Sequence, residues 1–206
     1  MTVPPWRWSV VGLDDLAARI TRYADGAAPA VVALDGHSSS GKTTLAGRLA
    51  ASLPRAAVLH TDDLAWHQGV FGWDEMLLTD VLPVVRAGQP VRYRPPAWVA
   101  RDRPSAVELP GDLAVLVLEG VGASRPSLAG ALDVVVWVET DEPTRLARDL
   151  PRVAAGEISP DSYRSWMAEE NDYMTWSRPW ERAHLVVHGG GLLDHDPETQ
   201  VVLRAR

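Results

Sequence analysis

The 206-residue sequence has no cysteine, a single phenylalanine and, at Lys42, a single lysine. Without cysteine there is no disulfide, no thiolate metal site and no cysteine nucleophile. Long apolar runs are also missing. The longest, Leu113–Leu118 and Val134–Val138, have strand length, far below the roughly 20 residues that span a bilayer. The first residues, Met1-Thr2-Val3-Pro4-Pro5-Trp6-Arg7-Trp8, lack the basic-then-apolar pattern of a signal peptide. The expected setting is the cytoplasm, with no membrane partner. A formal charge of −7 is the wrong sign for a nucleic-acid-binding face, so no nucleic-acid partner is expected. No pair of histidines stands at i, i+4 on a predicted helix, and no zinc site is predicted.

What is present fits one globular domain over residues 1–206, with 46% apolar and 23% charged residues. Leu13, Leu16, Ala17 and Ile20 have helical spacing over Leu13–Tyr23. Ala30–Leu34 reads as a buried strand and Thr43–Leu53 as a helix stopped by Pro54. Ala56–His60 is a second strand, and Trp73–Arg86 a helix kinked or broken at Pro83. Gln89–Pro110, with five prolines, reads as extended loop. Leu113–Leu118 and Val134–Val138 are further strands, Pro143–Leu150 and Pro160–Trp176 helices, His184–His188 a fifth strand, and Val201–Leu203 a short sixth. Apolar strands alternating with helices predict a mostly parallel sheet covered on both faces. Ligands of such sheets sit at the carboxyl ends of the strands. There the sequence places Gly36–Thr43, Asp62, Glu119 and Asp141.

Gly36-His37-Ser38-Ser39-Ser40-Gly41-Lys42-Thr43 matches G-x-x-x-x-G-K-[ST] in full, between a strand and a helix. The glycines allow close backbone approach, and the amides from Gly36 to Thr44 wrap phosphate at the positive end of the following helix. Lys42 adds charge at the β/γ-phosphates, and the Thr43 hydroxyl is suited to Mg²⁺. The implied ligands are ATP and Mg²⁺. A guanine-reading N-K-x-D is impossible, since the only lysine is Lys42, which argues against a GTPase switch.

A carboxylate in Thr61-Asp62-Asp63 would lie beside the γ-phosphate, as base for an attacking hydroxyl or as a metal ligand; Asp62 is favoured, and Asp63 remains an alternative. Glu119 closes an apolar strand, where Mg²⁺ would compensate its charge. Arg145, Arg148 and Arg152 lie on and just after one helix, where they could stabilise a transferring phosphoryl group or simply form exposed ion pairs. Trp66, His67, Trp73 and Trp98 offer aromatic faces for a base. Trp166, Trp176 and Trp180 read as packing residues.

Ala33-Leu34-Asp35-Gly36 with the loop through Thr44, a strand-end Asp-Asp, Glu119-Gly120 and Arg145-Leu146-Ala147-Arg148-Asp149 together resemble the uridine kinase family. They are also similar to the neighbouring phosphoribulokinase and nicotinamide riboside kinase branches. The likeness spans roughly residues 30–190. It implies a three-layer α/β/α P-loop fold with a mostly parallel five-stranded sheet, a core over about 28–190 and a helical lid over about 142–178. It implies Asp62 as base, Thr43, Asp62 and Glu119 around Mg²⁺, and Arg145, Arg148 and Arg152 in the lid. It implies an ATP-dependent kinase whose acceptor, a hydroxyl-bearing nucleoside (uridine-like) or related small molecule, would lie against Leu64–Asp74 and Val91–Arg103. There Tyr93 matches a pocket tyrosine and Asp74 a ribose-binding aspartate, beside Trp66 and Trp98. Tyr93-Arg94-Pro95-Pro96-Ala97-Trp98 departs from the family's Tyr-Asp-Phe followed by His. The alternatives are a nucleoside monophosphate or specialised metabolite as acceptor, or a non-catalytic ATP-binding switch.

Overall fold

The computed structural model describes residues 7–67 and 71–205. The segment 68–70 of the expected acceptor loop, and residues 1–6, lie outside the described residues. The elements in chain order are β1 (Arg7–Gly12), α1 (Leu13–Tyr23), β2 (Ala30–Gly36), α2 (Lys42–Ser52), β3 (Ala56–His60) and α3 (Thr61–Ala65). α4 (Asp74–Met76) passes through a π turn (Leu77–Val81) into α5 (Leu82–Arg86), followed by β4 (Val91–Tyr93), α6 (Pro96–Ala100) and β5 (Val107–Leu109). The chain continues with β6 (Val115–Glu119), β7 (Val134–Glu139), α7 (Glu142–Ala154), α8 (Pro160–Ser177), β8 (Leu185–His188) and β9 (Gln200–Ala205).

The main sheet runs β1-β9-β8-β7-β2-β6-β3. Five strands, β3-β6-β2-β7-β8, are parallel, and β9 and β1 extend the β8 edge antiparallel. The five-stranded expectation is therefore corrected to seven. β9 is longer than Val201–Leu203, and β1 carries no apolar run to announce it. No residue of β1 is fully buried, and six paired positions against β9 define it instead.

Every residue of β2 and β6 is buried, and their side chains alternate between two cores. Ala30, Val32, Leu34, Val115 and Val117 pack with α1 and α2. Val31, Ala33, Leu116 and Leu118 pack with Trp73, Leu77, Leu82 and Trp98 on the other face. This period of two on a sheet covered on both sides is why the strands read as unbroken apolar runs. Each such side chain contributes about 1.5–3 kcal/mol of burial. A third cluster, Val121, Trp137, Tyr173, Met174 and Val186, seats α8 on the sheet.

The expected loop over Gln89–Pro110 contains the β4–β5 hairpin and α6. Its prolines are compatible with both, since Pro95 and Pro96 occupy the cap and first position of α6, where no amide donor is needed. Pro83 stands at the start of α5, directly after the π turn. A wider turn re-spaces a helix whose ladder has lost a donor. α7 runs past Leu150 and carries Pro151 inside it. Among the described residues no helix is long and apolar enough to cross a membrane.

Candidate functional site

The carboxyl edge of the parallel strands gathers the polar residues. β2 ends at Gly36, and α2 begins at Lys42 after Gly41, whose φ of 96° is a left-handed conformation that glycine adopts freely. Lys42 is buried at 6% exposure, and its ammonium donates to the His37 carbonyl at 2.7 Å. The Ser40 amide donates to the same carbonyl at 3.2 Å. Ser39 is left-handed, φ 56°, without being glycine, a strained state that its surroundings must hold. Thr43 and Thr44 open the helix with exposed side chains.

Below the loop lie Asp62, at the start of α3, and Glu119, the last residue of β6. The Thr43 hydroxyl is 3.3 Å from Glu119 Oε1, and His60 Nδ1 is 2.6 Å from Oε2. The bond to Glu119 raises the His60 pKa. Asp62 meets solvent in the cleft, but protein crowds its other sides. That desolvation, reinforced by repulsion from Glu119, raises its carboxyl pKa, while Lys42 opposes the shift. Asp63 turns away: its carboxylate pairs with Arg103 at 3.3 Å and its carbonyl accepts the Trp98 indole N–H at 2.9 Å. Of the two adjacent aspartates, Asp62 is the one that faces the loop.

Above the loop, α7 and α8 supply charges. Arg148 donates to the carbonyls of Ser39 and Gly189, at 2.8 and 2.9 Å. Asp149 accepts from the Ser39 hydroxyl. Glu170, with no exposed surface, holds His37 Nδ1 at 2.7 Å through Oε1 and the Ser38 amide at 3.0 Å through Oε2. Burial alone would raise the Glu170 pKa, but the bonds from His37 and Ser38 outweigh it and lower it. The Arg145 guanidinium lies 3.8 Å from Glu170. Arg152 pairs with Glu157 in solvent.

Two cavities flank the loop. One of about 370 Å³ is lined by Ser38, Ser39, Lys42, Thr43, Asp62 and Glu119, and on the far wall by Val121, Arg152, Ile158, Tyr163 and Trp166. The other, of about 890 Å³, lies between Ser39–Arg48, Arg148 and the segment 187–201. Its wall touches the loop directly, since a Cβ on Gly189 would fall 1.7 Å from the Ser40 carbonyl oxygen.

Trp66, Asp74, Tyr93 and Trp98 line neither cavity. Trp98 is 3% exposed, with the Arg103 guanidinium 3.6 Å above its ring, and Trp66 stands edge-on to it. The Tyr93 hydroxyl donates to Asp80 at 2.8 Å. Asp74 accepts from Ser127 and pairs with Arg125 at 3.3 Å. Trp166, read from sequence as packing, lines the smaller cavity and donates from its indole to the Ser38 hydroxyl at 2.7 Å.

Sequence reasoning assigned no role to Glu170, Asp149 or Asp35. Fully buried Asp35 accepts from the amides of Gly36, Gly122 and Ser124 and from the hydroxyls of Ser124 and Tyr173. It thereby ties β2 to the segment after Glu119 and to α8. One signal for Glu170 was available: it shares a helical face with Trp166, Tyr173, Met174 and Ser177.

Sheet, loop and flanking helices define a P-loop α/β fold. No protein-family profile and no curated protein matches the sequence. Solved structures that share the fold include the following two. One is described as a possible uridine kinase from Bacillus stearothermophilus, with TM-score 0.52 and 23% identity, covering 84% of this chain and 98% of that one. The other is a candidate fructose transport system kinase from Silicibacter sp. TM1040, with TM-score 0.58 and 23% identity, covering 84% and 95%. At this identity the likeness is one of fold.

Proposed function

We propose that this chain is an ATP-dependent kinase that transfers the γ-phosphoryl group to a hydroxyl of an uncharged, nucleoside-like small molecule. One observation carries the reading: Lys42, Thr43, Asp62 and Glu119 share a single cavity at the carboxyl edge of the sheet. Phosphoryl transfer asks mainly for positioning and charge balance around a hydroxyl whose proton has somewhere to go. Asp62 is the proton acceptor, and its raised pKa makes it a better base than an ordinary carboxylate. Lys42 balances the phosphate charge, and the walls formed by Val121, Ile158, Tyr163 and Trp166 keep water from the acceptor.

The donor set suits Mg²⁺. Thr43 and Glu119 are hard oxygen donors 3.3 Å apart, with Asp62 in the same cavity, and Mg²⁺ completes its shell with phosphate oxygens and water. When bound there, it supplies positive charge against the phosphates. The base and ribose of ATP are assigned to the larger cavity, between Arg148 and the segment 187–201.

An uncharged acceptor is favoured over a phosphorylated one because Arg152, the one arginine lining the smaller cavity, is paired with Glu157. The test is ADP release from Mg·ATP with a panel of nucleosides, sugars and simple alcohols beside their phosphorylated counterparts. Release driven by an uncharged member is expected. Release driven only by phosphorylated members overturns the acceptor class, and ATP binding without acceptor-dependent turnover overturns the kinase reading in favour of a switch.

A further inference from the structure

A phosphate loop is usually described as shaped by its own backbone, yet here three consecutive loop residues are held from outside. His37 and Ser38 are held by Glu170 of α8, and Ser39 is held by Asp149 and Arg148 of α7. Glu170 is a costly choice for this task, because burying a carboxylate forfeits its hydration unless every lone pair is used. It uses both oxygens, on the His37 ring, the Ser38 amide and the Ser38 hydroxyl. The hydroxyl in turn accepts from the Trp166 indole.

The contacts continue toward the phosphate site. The His37 carbonyl is the acceptor on which the Lys42 ammonium rests, and it also takes the Ser40 amide. Tilting the peptide at His37 therefore moves the rest position of the only lysine. It also releases left-handed Ser39 toward less strained backbone angles.

We propose that Glu170 is a positioning residue: through His37 and Ser38 it sets the loop and Lys42 in their phosphate-receiving arrangement before nucleotide arrives. The proposal rests on the reading that this loop binds the triphosphate. Glu170 need not touch the nucleotide to control its affinity. The lid helices and the loop accordingly behave as one body, and loosening α8 loosens the grip on phosphate.

The test uses calorimetric titration of Mg·ATP into the full chain, its Glu170→Gln and Glu170→Ala variants, His37→Ala, and His37→Ala combined with Glu170→Ala. Circular dichroism and the thermal midpoint report folding alongside. Glu170→Ala is expected to bind Mg·ATP about tenfold more weakly or worse, a loss of one 1.4 kcal/mol step. Glu170→Gln keeps the size and one acceptor oxygen and should recover part of that affinity. Because Glu170 acts through the His37 ring as well as through Ser38, removing it in the His37→Ala background should cost measurably less than in the wild type, a non-additivity that a role in stability alone does not produce in nucleotide affinity. Wild-type affinity in Glu170→Ala overturns the proposal, as do losses that add in the double variant. If Glu170→Ala does not fold, Glu170→Gln decides: affinity equal to wild type overturns the proposal, and a several-fold loss supports it. A wild-type chain that fails to bind Mg·ATP refutes instead the reading of the loop itself.

Discussion

The phosphate loop lies between Glu170 and Asp149 on one side and Asp62 on the other, and these carboxylates live under opposite conditions. On the side of α7 and α8, Glu170 and Asp149 are buried and bonded to loop donors, and the Glu170 pKa is lowered. On the floor, Asp62 opens to the cavity and feels Glu119, and its pKa is raised. The same functional group thus serves two ends. Where donors saturate it, a carboxylate fixes geometry. Where it opens to a cavity beside a like charge, it is available to take a proton.

The sharpest way to break the comparison is Asp62→Asn. The substitution removes the base and keeps the shape, so transfer should fall about 10²–10⁴-fold while Mg·ATP affinity stays within a few-fold. Single-turnover transfer and calorimetry measure the two. Transfer near the wild-type rate would remove Asp62 from the chemistry.

The two sides should also respond to pH with opposite slopes. Glu170 has a folded pKa below its unfolded value of about 4.3. The stability it contributes is present above that unfolded value and is lost as pH falls through the lowered folded one. Denaturant unfolding should therefore show the wild type ahead of Glu170→Gln by about 2 kcal/mol at neutral pH, with the gap closing under acid. Asp62 has a raised folded pKa, so any advantage of its protonated form exists at low pH and disappears as pH rises. Asp62→Asn should gain on the wild type from acid toward neutral pH. Parallel slopes for the two variants would erase the distinction.

The smallest effect is expected at Tyr93, outside both cavities. Tyr93→Phe loses one hydrogen bond to Asp80 at the surface, so stability should change by less than about 1 kcal/mol and acceptor KM should not move. A KM rise of tenfold would restore Tyr93 to the acceptor pocket.

The parallel core and the loop were legible in the sequence because their signals are local. Buried strands read as apolar runs, and Gly36 to Thr43 carries its own punctuation. The positions of Asp62 and Glu119 were legible, since Glu119 ends β6 and Asp62 stands two residues past β3. β1 was not, because its pairing with β9 depends on residues nearly 200 positions away and its own side chains are mixed. Glu170 was hidden for a related reason: a glutamate on a helix defaults to solvent, and only the fold brings His37 and Ser38 opposite it. Trp66 and Trp98 looked like a base platform, but Arg103 and the core had already taken their faces.

Gly189 sets a boundary for loop exchange along the larger cavity. Its amide donates to the Glu139 carbonyl, its carbonyl takes Arg148, and its Cα rests against the Ser40 peptide with no room for a side chain. A graft that begins upstream of this residue will disturb the phosphate loop along with the wall of the larger cavity. At Gly191 an added Cβ meets nothing within 4 Å. A junction placed there leaves the loop intact and frees the rest of the wall to vary.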